Sequence, residues 1–148
     1  MRAVQAESIL DVGCGDANWL RLFSGWQKRR YVGIDHEPEH IALARERIPE
    51  GEFIEADLLE GIERAEGKFD LALSRHVMQH LETGYNLQLL DAIAKKTRYY
   101  LFTNYSVPRN VDLPPSKFRP VNLRLAPYFL TPTQWYTDGD LDLIFGEW

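Results

Sequence analysis

Short runs of β-forming apolar residues alternate with helix-period segments over the first two-thirds of the chain. Ser8-Ile9-Leu10-Asp11-Val12 reads as a buried strand closed by Gly13. Trp19, Leu20 and Phe23 recur at helical spacing and predict a helix over Ala17 to Ser24. Tyr31 to Asp35 is a second strand, and Pro38 suits the first turn of a helix that buries Ile41, Ala44 and Ile48 and stops near Pro49. Phe53 to Ala56 is a third strand, followed by a weakly helical acidic segment from Leu58 to Gly67. Phe69 to Leu73 is a fourth strand. Thr83 is expected to cap a helix running to Lys96 that buries Leu87, Leu90, Ile93 and Ala94, and Tyr99 to Thr103 is a fifth strand. Such alternation predicts parallel βαβ units with right-handed crossovers. The expected fold is α/β, an open doubly wound, mostly parallel sheet with its ligand at the carboxyl ends of the strands.

From Val107 the pattern changes. Pro108, Pro114, Pro115, Pro120, Pro127 and Pro132 cannot lie in one regular helix. The prolines are mixed with Phe118, Leu123, Tyr128, Phe129 and Leu130, which predicts an ordered, packed loop. A strand is expected near Val121 to Leu125 and a last one at Leu141 to Phe145.

The length of 148 residues fits one domain over residues 1–148. No apolar run approaches the ~20 residues of a membrane span, and Met1 to Glu7 is too short and polar for a signal peptide. With Cys14 as the single cysteine, a reducing cytoplasm is the expected location. The net charge of -5 argues against a broad nucleic-acid surface, and Lys28-Arg29-Arg30 reads as a solvated run. His36/His40 and His76/His80 are each spaced i,i+4, but neither pair has a third ligand and no cysteine pair accompanies them, so no metal site is expected.

Four stretches carry chemistry. Leu10-Asp11-Val12-Gly13-Cys14-Gly15-Asp16-Ala17 sits where a strand turns toward a helix, and its glycines let a ligand approach the backbone. A side chain at Gly13 is expected to block that approach. Asp35, ending the second strand, can accept from both ribose hydroxyls of an adenosine cofactor, or cap the helix ahead of Pro38. Asp57, ending the third, can accept from an adenine amino group with Leu58 against the ring, or serve as a turn acid. Ser74 to Leu81 follows the fourth strand and would border the cofactor's reactive end.

Together these stretches, from about Ile9 to Thr103, resemble the class I S-adenosylmethionine-dependent methyltransferases. The acid two residues before the first glycine fits that family. Asn18 stands where a dinucleotide-type turn normally has its third small residue. Ala17 replaces a frequent third glycine. Arg119-Pro120-Val121-Asn122-Leu123 and Ala126 to Leu130 are similar to a bacterial-type subgroup without a defined substrate, in which an acid usually stands at the place of His76. Only about seven residues precede Ser8, so the resemblance leaves the site without the usual N-terminal helical cover unless another copy or a partner chain supplies it.

The resemblance implies S-adenosyl-L-methionine as cofactor and S-adenosyl-L-homocysteine as product. It implies cofactor contacts from Asp11, Gly13, Cys14, Gly15, Asp35, His36, Ala56, Asp57, Leu58 and Ser74. His76 is the candidate general base because imidazole titrates near neutrality; His80 reads as structural. Arg75, Tyr105, Arg119 and Asn122 are candidate substrate ligands, although for Arg119 and Asn122 tying down loop backbone is the preferred reading, because loop backbone needs partners. Trp135, Tyr136 and Trp148 read as packing or interface residues. The implied function is methyl transfer to an O or N nucleophile of a small molecule, without nucleic acid or membrane. The alternative is a module that binds the cofactor but performs no chemistry.

Overall fold

A computed structural model describes residues 5–22, 24–112, 117–138 and 141–148. Strands β1 (Ser8–Val12), β2 (Arg30–Asp35), β3 (Glu52–Glu55), β4 (Phe69–Ser74), β5 (Thr97–Tyr105), β6 (Gln134–Asp138) and β7 (Leu141–Glu147) form one sheet in the order β3-β2-β1-β4-β5-β7-β6. The first five are mutually parallel; β7 runs antiparallel to β5 and β6 antiparallel to β7. Strand order reverses between β1 and β4, which opens a crevice at their carboxyl ends. The mostly parallel α/β sheet expected from the sequence is the one found.

Alternation along each strand sends side chains to two apolar layers. Leu10, Val12, Val32, Ala72, Tyr100 and Phe102 face α2 (Leu58–Arg64), α3 (Thr83–Lys96) and the proline-rich segment through Ile62, Leu89, Ile93 and Leu123. Ile9, Tyr31 and Leu73 face α1 (Pro38–Arg47), where Ile41 and Ala44 are buried with Leu20, Trp26 and Ile48. Among the described residues, no helix is long and apolar enough to cross a membrane.

Four details depart from expectation. Short 3-10 turns at Asn18–Leu22 and Trp26–Lys28 replace the helix expected over Ala17 to Ser24; Ala17 has φ 51° and Gly25 φ 82°, and both break an α-helical run. Phe23 of that expectation lies outside the described residues. Helix α3 starts after Glu82, and the Thr83 hydroxyl donates to Asp112 Oδ1 instead of capping (2.7 Å). Its buried face is Asn86, Leu89, Leu90 and Ile93, with Leu87 exposed, because Asn86 turns inward and donates to the Met78 carbonyl (2.8 Å). The region Val121 to Leu125 opens into turns, and β6 is a strand that the pattern did not announce.

Candidate functional site

A cavity of about 550 Å³ opens at the carboxyl ends of β1 to β4. Its floor is the turn after β1. Gly13 N and Cys14 N donate to the Ile34 carbonyl (2.8 and 2.9 Å), while Gly15 N donates to Asp35 Oδ2 (2.9 Å). Gly13 and Gly15 have φ of 78° and 56°, a region that costs other residues strain. The two differ in what lies beside them. A Cβ on Gly13 would stand 2.3 Å from Val77 Cγ2, whereas one on Gly15 would meet no atom within 4 Å. A side chain at Gly13 therefore strikes the β4 loop, and the open approach expected there belongs to Gly15.

Asp35 is buried at the cavity wall, and its Oδ1 accepts from Glu37 N (3.0 Å). Glu37, not Asp35, is the N-cap residue of α1, so the carboxylate ties the glycine turn to the chain after β2. His36 and His40 flank it, with Nδ1 atoms 3.7 and 3.5 Å from Asp35 Oδ1. Across the cavity Asp57 caps α2 through Leu59 N (3.0 Å), and both its oxygens accept from the Tyr85 hydroxyl (2.8 and 2.9 Å). Burial, then the bond to Asp57, pushes the Tyr85 phenol up to about 12. Leu58 lines the cavity beside this pair.

The loop after β4 forms the remaining wall with Arg75, His76, Val77 and His80. The Arg75 guanidinium lies over the Trp19 ring, 5.4 Å from its centroid. His76 has φ 57°, and its backbone N–H donates to Thr103 Oγ1 (3.2 Å). Partial burial, helped by the charges of Arg75 and His80, lowers the His76 imidazole below its ordinary value. An exposed, neutral imidazole at a cavity wall can accept a proton.

Several expected site residues are placed elsewhere. Asp11 is buried behind the turn, where it accepts from the Tyr31 hydroxyl (2.7 Å), and burial raises its carboxyl to about 6. Cys14 is packed against Gly33, and burial drives its thiol far above the ordinary range. Ala56 contributes a backbone N–H to the Asp35 carbonyl (3.1 Å), and Ser74 is buried with an unpartnered Oγ; neither lines the cavity. Of the two readings open for Arg119 and Asn122, their hydrogen bonds are those of loop ties, and neither lines the first cavity. Arg119, 3% exposed, donates to the carbonyls of Leu81 (2.7 Å) and Val111 (3.3 Å), and Asn122 donates to that of Val107 (2.8 Å). Tyr105 lines a different cavity. His80, expected to be structural, is exposed and faces the first cavity, one helical turn from His76; that spacing was the available signal. Tyr85 carried no signal, because its partner Asp57 is remote in the chain.

A family profile described as "Methyltransferase domain" matches residues 9–98. The chain belongs to this methyltransferase family. The methyltransferase domain is 32% identical over 110 residues to a trans-aconitate 2-methyltransferase from Azoarcus sp. strain BH72, an alignment covering 74% of this chain and 42% of that protein. The chain spans less than half the length of the curated relatives it matches. Among solved structures, the methyltransferase domain superimposes on TehB from Haemophilus influenzae with a TM-score of 0.68, at 16% identity, over 97% of this chain and 58% of that one. PKMT2 from Rickettsia typhi, solved in complex with AdoHcy, matches with a TM-score of 0.59 at 20% identity, over 69% of this chain and 22% of that one. At these identities the likeness is one of fold: the Rossmann-like methyltransferase fold.

Proposed function

We propose that this chain binds S-adenosyl-L-methionine in the first cavity and transfers its methyl group to an O or N nucleophile of a small molecule. The observation that carries the reading is the meeting of Gly15 and Asp35. A backbone with open space where a Cβ would stand adjoins a buried carboxylate at the carboxyl edge of a methyltransferase sheet. The residues fit the cofactor. Asp35 would accept from the ribose hydroxyls, Asp57 and Leu58 would meet the adenine, and the Gly13–Gly15 turn would pass beneath the amino-acid end. Bound there, the cofactor supplies a methyl group activated by a positively charged sulfur.

The chain's own part is alignment and proton transfer. Holding the nucleophile in line supplies several kcal/mol of the barrier. His76 takes the proton that the acceptor atom releases, since its lowered pKa keeps the ring neutral at pH 7. Arg75 orients the acceptor from the same loop. The chain acts in the cytoplasm.

Calorimetric titration with S-adenosylhomocysteine tests the cofactor half. Asp35→Ala is expected to weaken binding about 10- to 1000-fold, from the charge-assisted bonds removed. Near-native affinity in both Asp35→Ala and Asp35→Asn would reject it. Production of S-adenosylhomocysteine across a panel of small acceptors, trans-aconitate among them, tests the transfer. Tight cofactor binding with no product from any acceptor would leave a binding module.

A further inference from the structure

A second cavity, of about 630 Å³, opens beyond the ends of β5 and β6 and the start of β7. Because β7 is antiparallel, this is the same edge of the sheet that carries the first cavity. Phe118 is edge-on to Tyr105 of the second cavity (5.6 Å between centroids) and to His80 of the first (5.9 Å). One exposed phenyl ring, a wall of the second cavity, thus touches a wall residue of the first.

The second cavity joins aromatic surface to a buried carboxylate that forms no ion pair among the described residues. Tyr105, Phe118 and Trp135 contribute rings, and Asp142 lines the cavity while only 6% exposed. Asp142 accepts a hydrogen bond from Ser106 Oγ (2.5 Å), and among the described residues no cation lies within ion-pair distance of it. Arg124 also lines the cavity, but its guanidinium lies over the Trp135 ring at 5.3 Å and forms no ion pair with Asp142, which leaves the Tyr105 and Phe118 rings beside the carboxylate. A buried carboxylate without a cation is costly, and aromatic faces attract cations. Both features select one ligand chemistry.

We infer that the second cavity binds an organic ammonium ion with an apolar body, its N–H groups donating to Asp142 and its charge against the aromatic rings. Given the methyltransferase reading, this ammonium is the anchoring group of the acceptor. The rest of the molecule then lies across Phe118 toward His80 and His76. An anionic ligand would meet the Asp142 charge instead.

Titrating the full chain at pH 7 with 2-phenylethylammonium, 2-phenylethanol and 3-phenylpropionate, followed by the Trp135 indole NMR signal, tests the inference. The ammonium is expected to bind about 10-fold or more tightly than the alcohol, the gain of a charge-assisted bond, and more tightly than the carboxylate. Asp142→Asn should erase that preference without changing S-adenosylhomocysteine affinity. Should that variant fold poorly, Trp135→Ala, at an exposed position and followed by calorimetric titration because the indole signal is gone, is expected to weaken ammonium binding several-fold. Equal binding of ammonium and alcohol, or a preference for the carboxylate, would overturn the site. So would unchanged ammonium affinity in folded Asp142→Asn. Ammonium selectivity in a chain that does not bind S-adenosylhomocysteine would overturn the methyltransferase reading and leave the site standing.

Discussion

Beyond β1 to β4, the edge of the sheet is shaped by backbone. Two glycines, one carboxylate and the Ile34 carbonyl of β2 close the turn under the first cavity. Beyond β5 to β7, the edge is shaped by buried and half-buried polar side chains that stand in for a missing ladder. Asn104 accepts from Leu123 N (2.7 Å), Asn110 donates to the Asn122 and Ala126 carbonyls (both 2.8 Å), and Arg119 spans Leu81 and Val111. The first design resists added atoms, at Gly13 by collision and at Gly15 by filling the ligand's approach; the second resists lost donors. Ligand chemistry and fold stability should therefore respond to different substitutions in the two regions.

The largest effect is expected at His76. His76→Ala should slow turnover by about 10²- to 10⁴-fold while S-adenosylhomocysteine affinity stays near wild type. Wild-type rate should rise with pH through a value below the ordinary imidazole pKa, and this limb should vanish in the variant. Full rate at every pH in His76→Ala would leave alignment as the sole device.

Arg119→Met tests the other region. It removes the donors to the Leu81 and Val111 carbonyls and should cost about 3 kcal/mol in denaturant unfolding. Cofactor affinity should hold. A matching loss of affinity would show that the regions are not separable.

Asp11 sharpens the contrast through pH. Its folded pKa of about 6 exceeds the ordinary 3.8, so the folded protein binds the proton more tightly. This contribution is fully present below the ordinary value and is lost as pH rises through about 6. The stability difference between wild type and Asp11→Asn should change by about 2–3 kcal/mol between pH 4 and pH 7. A difference independent of pH would place the charge elsewhere.

The smallest effect on folding is expected at Gly15. Gly15→Ala should cost about 1 kcal/mol from left-handed strain, yet weaken S-adenosylhomocysteine binding measurably by placing a methyl in the open approach. Gly13→Ala should destabilise more, against Val77.

The same contrast explains what was legible in the sequence. β1 to β5, α1 and the opposition of Asp35 to the glycine turn follow from alternation and strand order, because neighbouring parallel strands bring their ends together. The role of Arg119 was left open between ligand and tie, since only tertiary structure shows the Leu81 carbonyl as its acceptor. The inward turn of Asn86 shifted the buried face of α3, and a polar residue on an apolar face leaves no periodic trace. β6 escaped notice because its partner lies later in the chain and its Trp135 and Tyr136 are exposed. The pairing of Tyr85 with Asp57 joins two helix starts that no local pattern connects.

Cys14, the chain's single cysteine, packs under the glycine turn against Gly33 with its thiol firmly protonated. Alkylating reagents need a thiolate that they can reach. Labelling must therefore wait for the turn to lift, and its rate counts those openings one molecule at a time with no background from other thiols. A ligand seated over Gly15 would hold the turn down and lengthen the wait, so a thiol reagent and a mass spectrometer turn this residue into a clock for the floor of the cavity.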